Sequence, residues 1–298
     1  MTQRNSPQVL RRPFLFCLFA SLALPKARAA GSAVPVVAAE NFYADVASQI
    51  GGPWVTVQAV MSNPEEDPHL FEASPSVARA LAGARIVVLN GADYDPWMTK
   101  LLAVHRGSGP RVLVVADLLG RKAGENPHLW YDPACMPAFA KAFAALLAEE
   151  DPAHRNDYEK GMQRFLAALA PMQDKIAALR ARFAGTPVTA TEPVFNDMAR
   201  ALGLVMRNER FQLAVMNDTE PAASDVAAFE EDLKNRRVRL LIYNSQATNE
   251  ASRRMLKLAG LSGIPVLGVT ETEPGGKSYQ DWMLTTLSAL EEALAKTP

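Results

Sequence analysis

Short β-branched runs alternate with helical patterns along this chain, and one much longer helical pattern interrupts the alternation near its middle. Strands are predicted over 34–39, 55–60, 85–89 and 111–116, separated by helices over 42–50, 75–83 and 96–104 and followed by a helix over 132–149. After the interruption the pattern resumes, with strands over 187–190, 239–243 and 265–269 and helices over 193–202, 224–235, 249–259 and 279–296. Strands that alternate with helices form a largely parallel sheet with helices on its faces. The interruption, about 152–183, repeats apolar residues at three-to-four spacing through Phe165, Leu169, Met172, Ile176, Leu179 and Phe183. Pro171 lies inside it, and a proline in a helix interior removes a hydrogen bond and kinks the helix. The apolar spacing stays in phase across Pro171, so the expectation is one kinked helix, about 45 Å long for about 30 residues. The fold class expected is therefore α/β: an N-terminal lobe over 31–151, a connecting helix over 152–184 and a C-terminal lobe over 185–298. Neither lobe carries a GxGxxG or GxxxxGK[ST] phosphate loop.

Residues 1–30 read as an export signal rather than as part of the fold. Arg11 and Arg12 precede an apolar run from Phe14 to Leu24, and the small-residue stretch Ala27-Arg28-Ala29-Ala30 follows. The run is too short for a permanent membrane anchor. The segment Arg11-Arg12-Pro13-Phe14-Leu15 also fits a twin-arginine signal, so Sec and twin-arginine export both stay open. Cys17 follows Leu15-Phe16, a poor match to a lipoprotein box, and a periplasmic protein without a lipid anchor is expected. Loss of this segment takes Arg4, Arg11, Arg12, Lys26 and Arg28 and no acid, which moves the formal charge from −1 to −6. A mildly acidic surface argues against a nucleic-acid partner. Cys135 is then the only cysteine, so neither an internal disulfide nor a multi-cysteine metal site is available.

The chemistry starts from the histidines. Two of the four sit in matching segments, Pro68-His69-Leu70-Phe71 and Pro127-His128-Leu129-Trp130. Each segment lies between a predicted strand and a predicted helix start, at the carboxyl end of a parallel strand where open α/β sheets bind ligands. Imidazole is the commonest protein ligand for transition metals, so His69 and His128 form half of a candidate metal site. His105 and His154 have no such setting and read as solvent-facing. Without a cysteine cluster, the remaining donors are carboxylates or water. Glu192 follows strand 187–190 and precedes Pro193 at a helix start, the same strand–ligand–helix arrangement as the histidines. After strand 265–269 come Glu271 and Glu273, with Glu271 nearer the strand end and Glu273 the alternative. Glu220, in the second of three Thr-Glu-Pro tripeptides, reads as a loop or capping residue.

With these residues in place, the chain resembles the solute-binding proteins of zinc and manganese ABC importers. The resemblance covers nearly all of the sequence after residue 30. It rests on Asp67-Pro68-His69, on the segment from Asn126 to Trp130 with Asp132-Pro133, on the long connecting helix and on the acidic loop after the last strand. It implies two pseudo-symmetric α/β lobes joined by one rigid helix, with the metal between them. It also implies His69, His128, Glu192 and Glu271 as ligands of a transported Zn²⁺ or Mn²⁺, and an inner-membrane ABC permease as partner. In many members the fourth ligand is Asp, so Glu271 departs from the pattern. The His- and acid-rich loop of many zinc members is missing here. A monomer and a binding protein rather than an enzyme are expected. The alternative is a periplasmic metallohydrolase, in which histidines and a glutamate hold zinc with an open water position. The chain has no compact H-E-x-x-H, and its candidate donors come one per loop from both lobes.

Overall fold

The computed structural model describes residues 1–2, 33–63, 71, 74–103, 109–246 and 249–296. Residues 3–30 of the expected signal segment, His69 and His105 lie outside the described residues. In the first half, β1 (Val34–Glu40), α1 (Asn41–Gly51), β2 (Val55–Met61), α2 (Pro75–Gly83), β3 (Ile86–Leu89), α3 (Pro96–Ala103) and β4 (Arg111–Val114) follow one another. A short α4 (Val115–Leu118) and a long α5 (Cys135–Glu150) come next. Then α6 (Arg155–Ala168) and α7 (Ala170–Phe183) lead into β5 (Pro187–Ala190), α8 (Asn196–Ala201), β6 (Val205–Arg207), α9 (Glu209–Met216) and α10 (Ala223–Lys234). The chain closes with β7 (Leu241–Asn244), α11 (Glu250–Leu261), β8 (Val266–Val269) and α12 (Tyr279–Ala295).

Among the described residues the strands form two parallel four-stranded sheets with the same topology, β2-β1-β3-β4 and β6-β5-β7-β8. Burial explains the strand sequences. Central β1 is covered on both faces and reads as a nearly unbroken apolar run, whereas edge strand β2 alternates and turns Thr56 and Gln58 outward. In each sheet the chain first steps to one side of its initial strand and then crosses to the other. The crevice of each sheet therefore lies at the carboxyl ends of β1 and β3, and of β5 and β7.

The expected single kinked helix is two helices. Leu169 stands between α6 and α7 with φ −79° and ψ −12°, and Pro171 falls in the first turn of α7, where its missing N–H costs nothing. The buried face nevertheless continues, through Tyr158, Met162 and Phe165 on α6 to Met172 and Leu179 on α7. α6 packs on α1 and α5, and α7 packs on α12. Close approach of α6 to α1 requires Gly161, because a Cβ there would lie 2.1 Å from the Ile50 carbonyl oxygen. Elements β6 and α9 carry no clear periodic signal: β6 is three residues on a sheet edge, with Val205 49 % exposed.

One apolar cluster runs through both halves and includes Val36, Phe42 and Trp130 together with Val188, Phe195 and Trp282. Aromatic rings fill the contact: Phe42 lies 4.6 Å from Trp130 and Tyr131 lies 5.2 Å from Phe195, centroid to centroid. Truncating such a ring costs about 3–5 kcal/mol. Polar fasteners rim this core. Asn41 donates to the Glu273 carbonyl oxygen and accepts from the Glu273 N–H, at 2.8 and 3.0 Å. The Tyr131 hydroxyl donates to the Thr270 carbonyl oxygen, and the Tyr279 hydroxyl donates to that of Trp130. The halves thus meet through an aromatic core rimmed by hydrogen bonds, several of which use a backbone carbonyl or N–H.

Candidate metal centre

His128 leaves the sheet region in a short 3-10 turn, Leu129–Tyr131, whose three residues are all buried. That anchoring fixes the imidazole from below. Its Nδ1 lies 2.6 Å from Asn126 Oδ1, while Asn126 Nδ2 donates to the Pro193 carbonyl oxygen of the other half at 3.0 Å. The second bond sets the orientation of the Asn126 amide, so its oxygen faces the ring and Nδ1 carries the imidazole proton. Nε2 is left with its lone pair, the form in which imidazole binds a metal. His128 is fully buried, and Nε2 has no hydrogen-bond partner among the described residues.

Glu192 and Glu271 come to the same point from the second half. Glu192 is extended, with φ −154° and ψ 152°, immediately before the 3-10 turn Pro193–Phe195 at the carboxyl end of β5. Glu271 follows β8, and its backbone is held by Gln246, whose Oε1 accepts from the N–H groups of Glu271 and Thr272 at 2.5 and 3.1 Å. Ligand atoms of His128, Glu192 and Glu271 all lie within 4.8 Å of one another, and all three residues are buried. His128 Nε2 is 3.4 Å from Glu271 Oε2. Between the carboxylates stands Asn244, the last residue of β7. Its Nδ2 donates to Glu192 Oε2 at 2.8 Å and to Glu271 Oε1 at 2.5 Å. Its Oδ1 accepts from the Gln246 N–H at 3.0 Å, which fixes which end of the amide faces the acids. The Tyr94 phenol is buried nearby, and burial together with the charges of Glu271 and Glu40 keeps it protonated well above its usual range.

The structure therefore brings together three of the four residues picked out by sequence; the fourth, His69, lies outside the described residues. Of the two acids after β8, Glu271 joins the cluster. Glu273 turns elsewhere, and burial followed by the charges of Asp45 and Asp281 pushes its carboxyl up to about 9. His154 is not simply solvent-facing. Its ring stacks on Trp54 at 3.6 Å and its Nδ1 lies 2.6 Å from Asp151 Oδ2, so it braces the entry to α6. Sequence reasoning passed over Asn244, Gln246 and the buried Glu40. An amide or acid at a strand end reads the same whether it faces water or a neighbour.

Chemically, two buried carboxylates and an imidazole make a strong site for a divalent transition ion. The carboxylates balance its charge and suit manganese, while the nitrogen suits zinc or iron. Comparison with known proteins points the same way. The family model described as ZnuA, zinc-uptake complex component A periplasmic, matches residues 36–293. A manganese ABC transporter substrate-binding lipoprotein, PsaA of Streptococcus mitis, is 23% identical over 316 residues, covering 95% of this chain and 98% of that protein. An iron ABC transporter substrate-binding lipoprotein, MtsA of Streptococcus pyogenes serotype M1, is 22% identical over 303 residues, covering 95% and 96%. The periplasmic zinc binding protein TroA from Treponema pallidum superposes with a TM-score of 0.72 at 19% identity, over 89% of this chain and 99% of that one. At that identity the last likeness concerns the fold.

Proposed function

The chain belongs to the family of periplasmic zinc-uptake complex component A proteins, and from that premise we propose that it captures a divalent transition metal ion, Zn²⁺ or Mn²⁺, and delivers it to an ABC importer. The observation that carries this reading is the meeting of His128 from the first half with Glu192 and Glu271 from the second, buried and within 4.8 Å of one another. A site assembled across two halves is suited to capture and release, because its donors separate when the halves do. His69 is the fourth ligand of the reading. The ion is cargo, and the protein is a binder rather than a catalyst. In this reading it works as a monomer in the periplasm, exported by the segment 1–30. No helix among the described residues is long and apolar enough to cross a membrane.

Calorimetric titration of the metal-stripped protein with Zn²⁺ and with Mn²⁺ tests the reading. One ion per chain is expected, with protection against unfolding that grows with free metal, about 4 kcal/mol at a thousandfold excess over Kd. Absence of binding by both ions would sink it, as would steady turnover of ester or peptide substrates by the metal-loaded protein.

A further inference from the structure

We propose that Asn244 is a positioning residue that sets the metal preference of the site: by bonding one oxygen of Glu192 and one of Glu271, its amide holds both carboxylates as single-oxygen donors and favours four-coordinate zinc over six-coordinate manganese. The inference rests on the metal-capture reading above and deepens it.

Three observations carry it. First, the amide has two N–H protons, and the two acids take one each, Glu192 through Oε2 at 2.8 Å and Glu271 through Oε1 at 2.5 Å. A carboxylate oxygen committed to an amide is a poorer partner for chelation, so each acid turns its other oxygen to an ion. Second, the amide cannot swing aside. Asn244 is buried at 1 % exposure and its Oδ1 is tied to the Gln246 N–H, while Gln246 Oε1 holds the Glu271 backbone. Bridge, acid and loop form one closed ring of hydrogen bonds. Third, the His128–Glu271 donor pair stands at the spacing of tetrahedral neighbours, within a cluster whose ligand atoms all lie within 4.8 Å of one another. With metal–donor bonds of about 2.1 Å, tetrahedral neighbours stand about 3.4 Å apart, against about 3.0 Å at the right angles of an octahedron. His128 Nε2 and Glu271 Oε2 are 3.4 Å apart. Manganese is served best by six oxygen-rich donors, a number these four residues reach by themselves only if both carboxylates turn to chelate with both oxygens.

The test compares Zn²⁺ and Mn²⁺ affinities of the full-length wild type with those of Asn244→Ala and Asn244→Ser, each stripped of metal and checked for folding by circular dichroism. The ratio of zinc to manganese affinity is expected to fall by roughly tenfold or more in both variants, the scale of losing a residue that orients metal ligands. A ratio that stays at the wild-type value, with both ions weakened alike, overturns the proposal, since a merely structural role predicts that result. Zinc-edge X-ray absorption on the loaded wild type needs no variant. Four donors with single-oxygen carboxylates are expected, and a chelating carboxylate or six donors overturns the proposal even if both variants fail to fold. Wild type that binds neither ion would instead remove the capture reading beneath it.

Discussion

Each half of the molecule contains a buried pair of acids beside an asparagine at the carboxyl end of its third strand in chain order, and the two halves put this set to different use. In the second half, Asn244 lies between Glu192 and Glu271 and bonds both. In the first half, Glu40 ends β1 as Glu192 follows β5, and Asn90 follows β3 as Asn244 ends β7. Asn90, however, spends its amide N–H groups on backbone. It donates to the Pro127 carbonyl oxygen at 2.8 Å and accepts from the Tyr43 hydroxyl at 2.7 Å, so it holds up the loop that presents His128. Glu40 is fully buried beside Asp95, and burial together with the Asp95 charge raises its carboxyl well above the usual range. In one pair burial holds a carboxyl well above its usual range; the other converges with His128 on the proposed metal site. The topology supplies equivalent positions, and the loops decide what chemistry they perform.

The sharpest way to break this contrast is at the proposed ligands themselves. His128→Ala or Glu192→Gln should weaken zinc binding by more than the roughly 10–100-fold that loss of an outer partner costs, read by titration of the metal-stripped variants. Retention of wild-type affinity by either would mean that the ion sits elsewhere. One layer out, Asn126→Ala removes the acceptor that keeps the proton on His128 Nδ1. Zinc affinity should fall about 10–100-fold while the fold persists, and an unchanged affinity would show that the tautomer is set by something else. Smaller again is Asn90→Ala, which strips a partner from Pro127 and from Tyr43. Loss of buried hydrogen bonds of this kind costs about 1–3 kcal/mol, measurable as a shift in the urea midpoint.

How much of this was written in the sequence depends on the kind of signal. Repeated strand–helix alternation predicted both parallel sheets, because a strand covered on two faces, such as β1, must be apolar throughout. Glu192 and Glu271 could be picked out because each falls in a loop at the end of a parallel strand, where the fold places ligands, whereas His128 lies beyond α4 and was marked by its repeated Pro-His-Leu setting. The choice between Glu271 and Glu273 was open in the sequence, since two acids in one short loop differ only in which way the backbone turns each. That turn is fixed by Gln246 and Asn41, residues distant in sequence. The break at Leu169 was foreseen as a kink from Pro171, but whether a helix bends or divides depends on packing against α1, α5 and α12. β6 escaped notice because three edge residues cannot display a period. Asn244 and Glu40 were invisible for a different reason: their roles are set by neighbours, and spacing does not reveal neighbours.

The smallest expected effect tests the protonated pair directly. Burial raises the Asp95 carboxyl too, but N–H bonds from Asn90 and Gly91 at 2.6 and 2.9 Å pull it back toward its charged form, so Glu40 is the member that keeps the proton. Tyr43 and Tyr94, buried near it, stay neutral because burial and the surrounding negative groups raise both phenols well above their usual range. In the unfolded chain Glu40 ionises near its ordinary value of 4.5. Folded, it holds its proton to higher pH. Between those two values the folded state binds more protons than the unfolded state, so this residue's contribution to stability is fully present below pH 4.5 and declines as pH rises through the folded value. Glu40→Gln keeps the shape and removes the titration. The metal-stripped variant should therefore lose less stability than the parent on going from pH 5 to pH 9 and be the more stable of the two at the alkaline end, with zinc affinity unchanged. Parallel curves for the two proteins would mean that Glu40 ionises in the fold as it does in water. A fall in zinc affinity matching that of Glu192→Gln would erase the contrast between the halves, because both glutamates would then serve the ion.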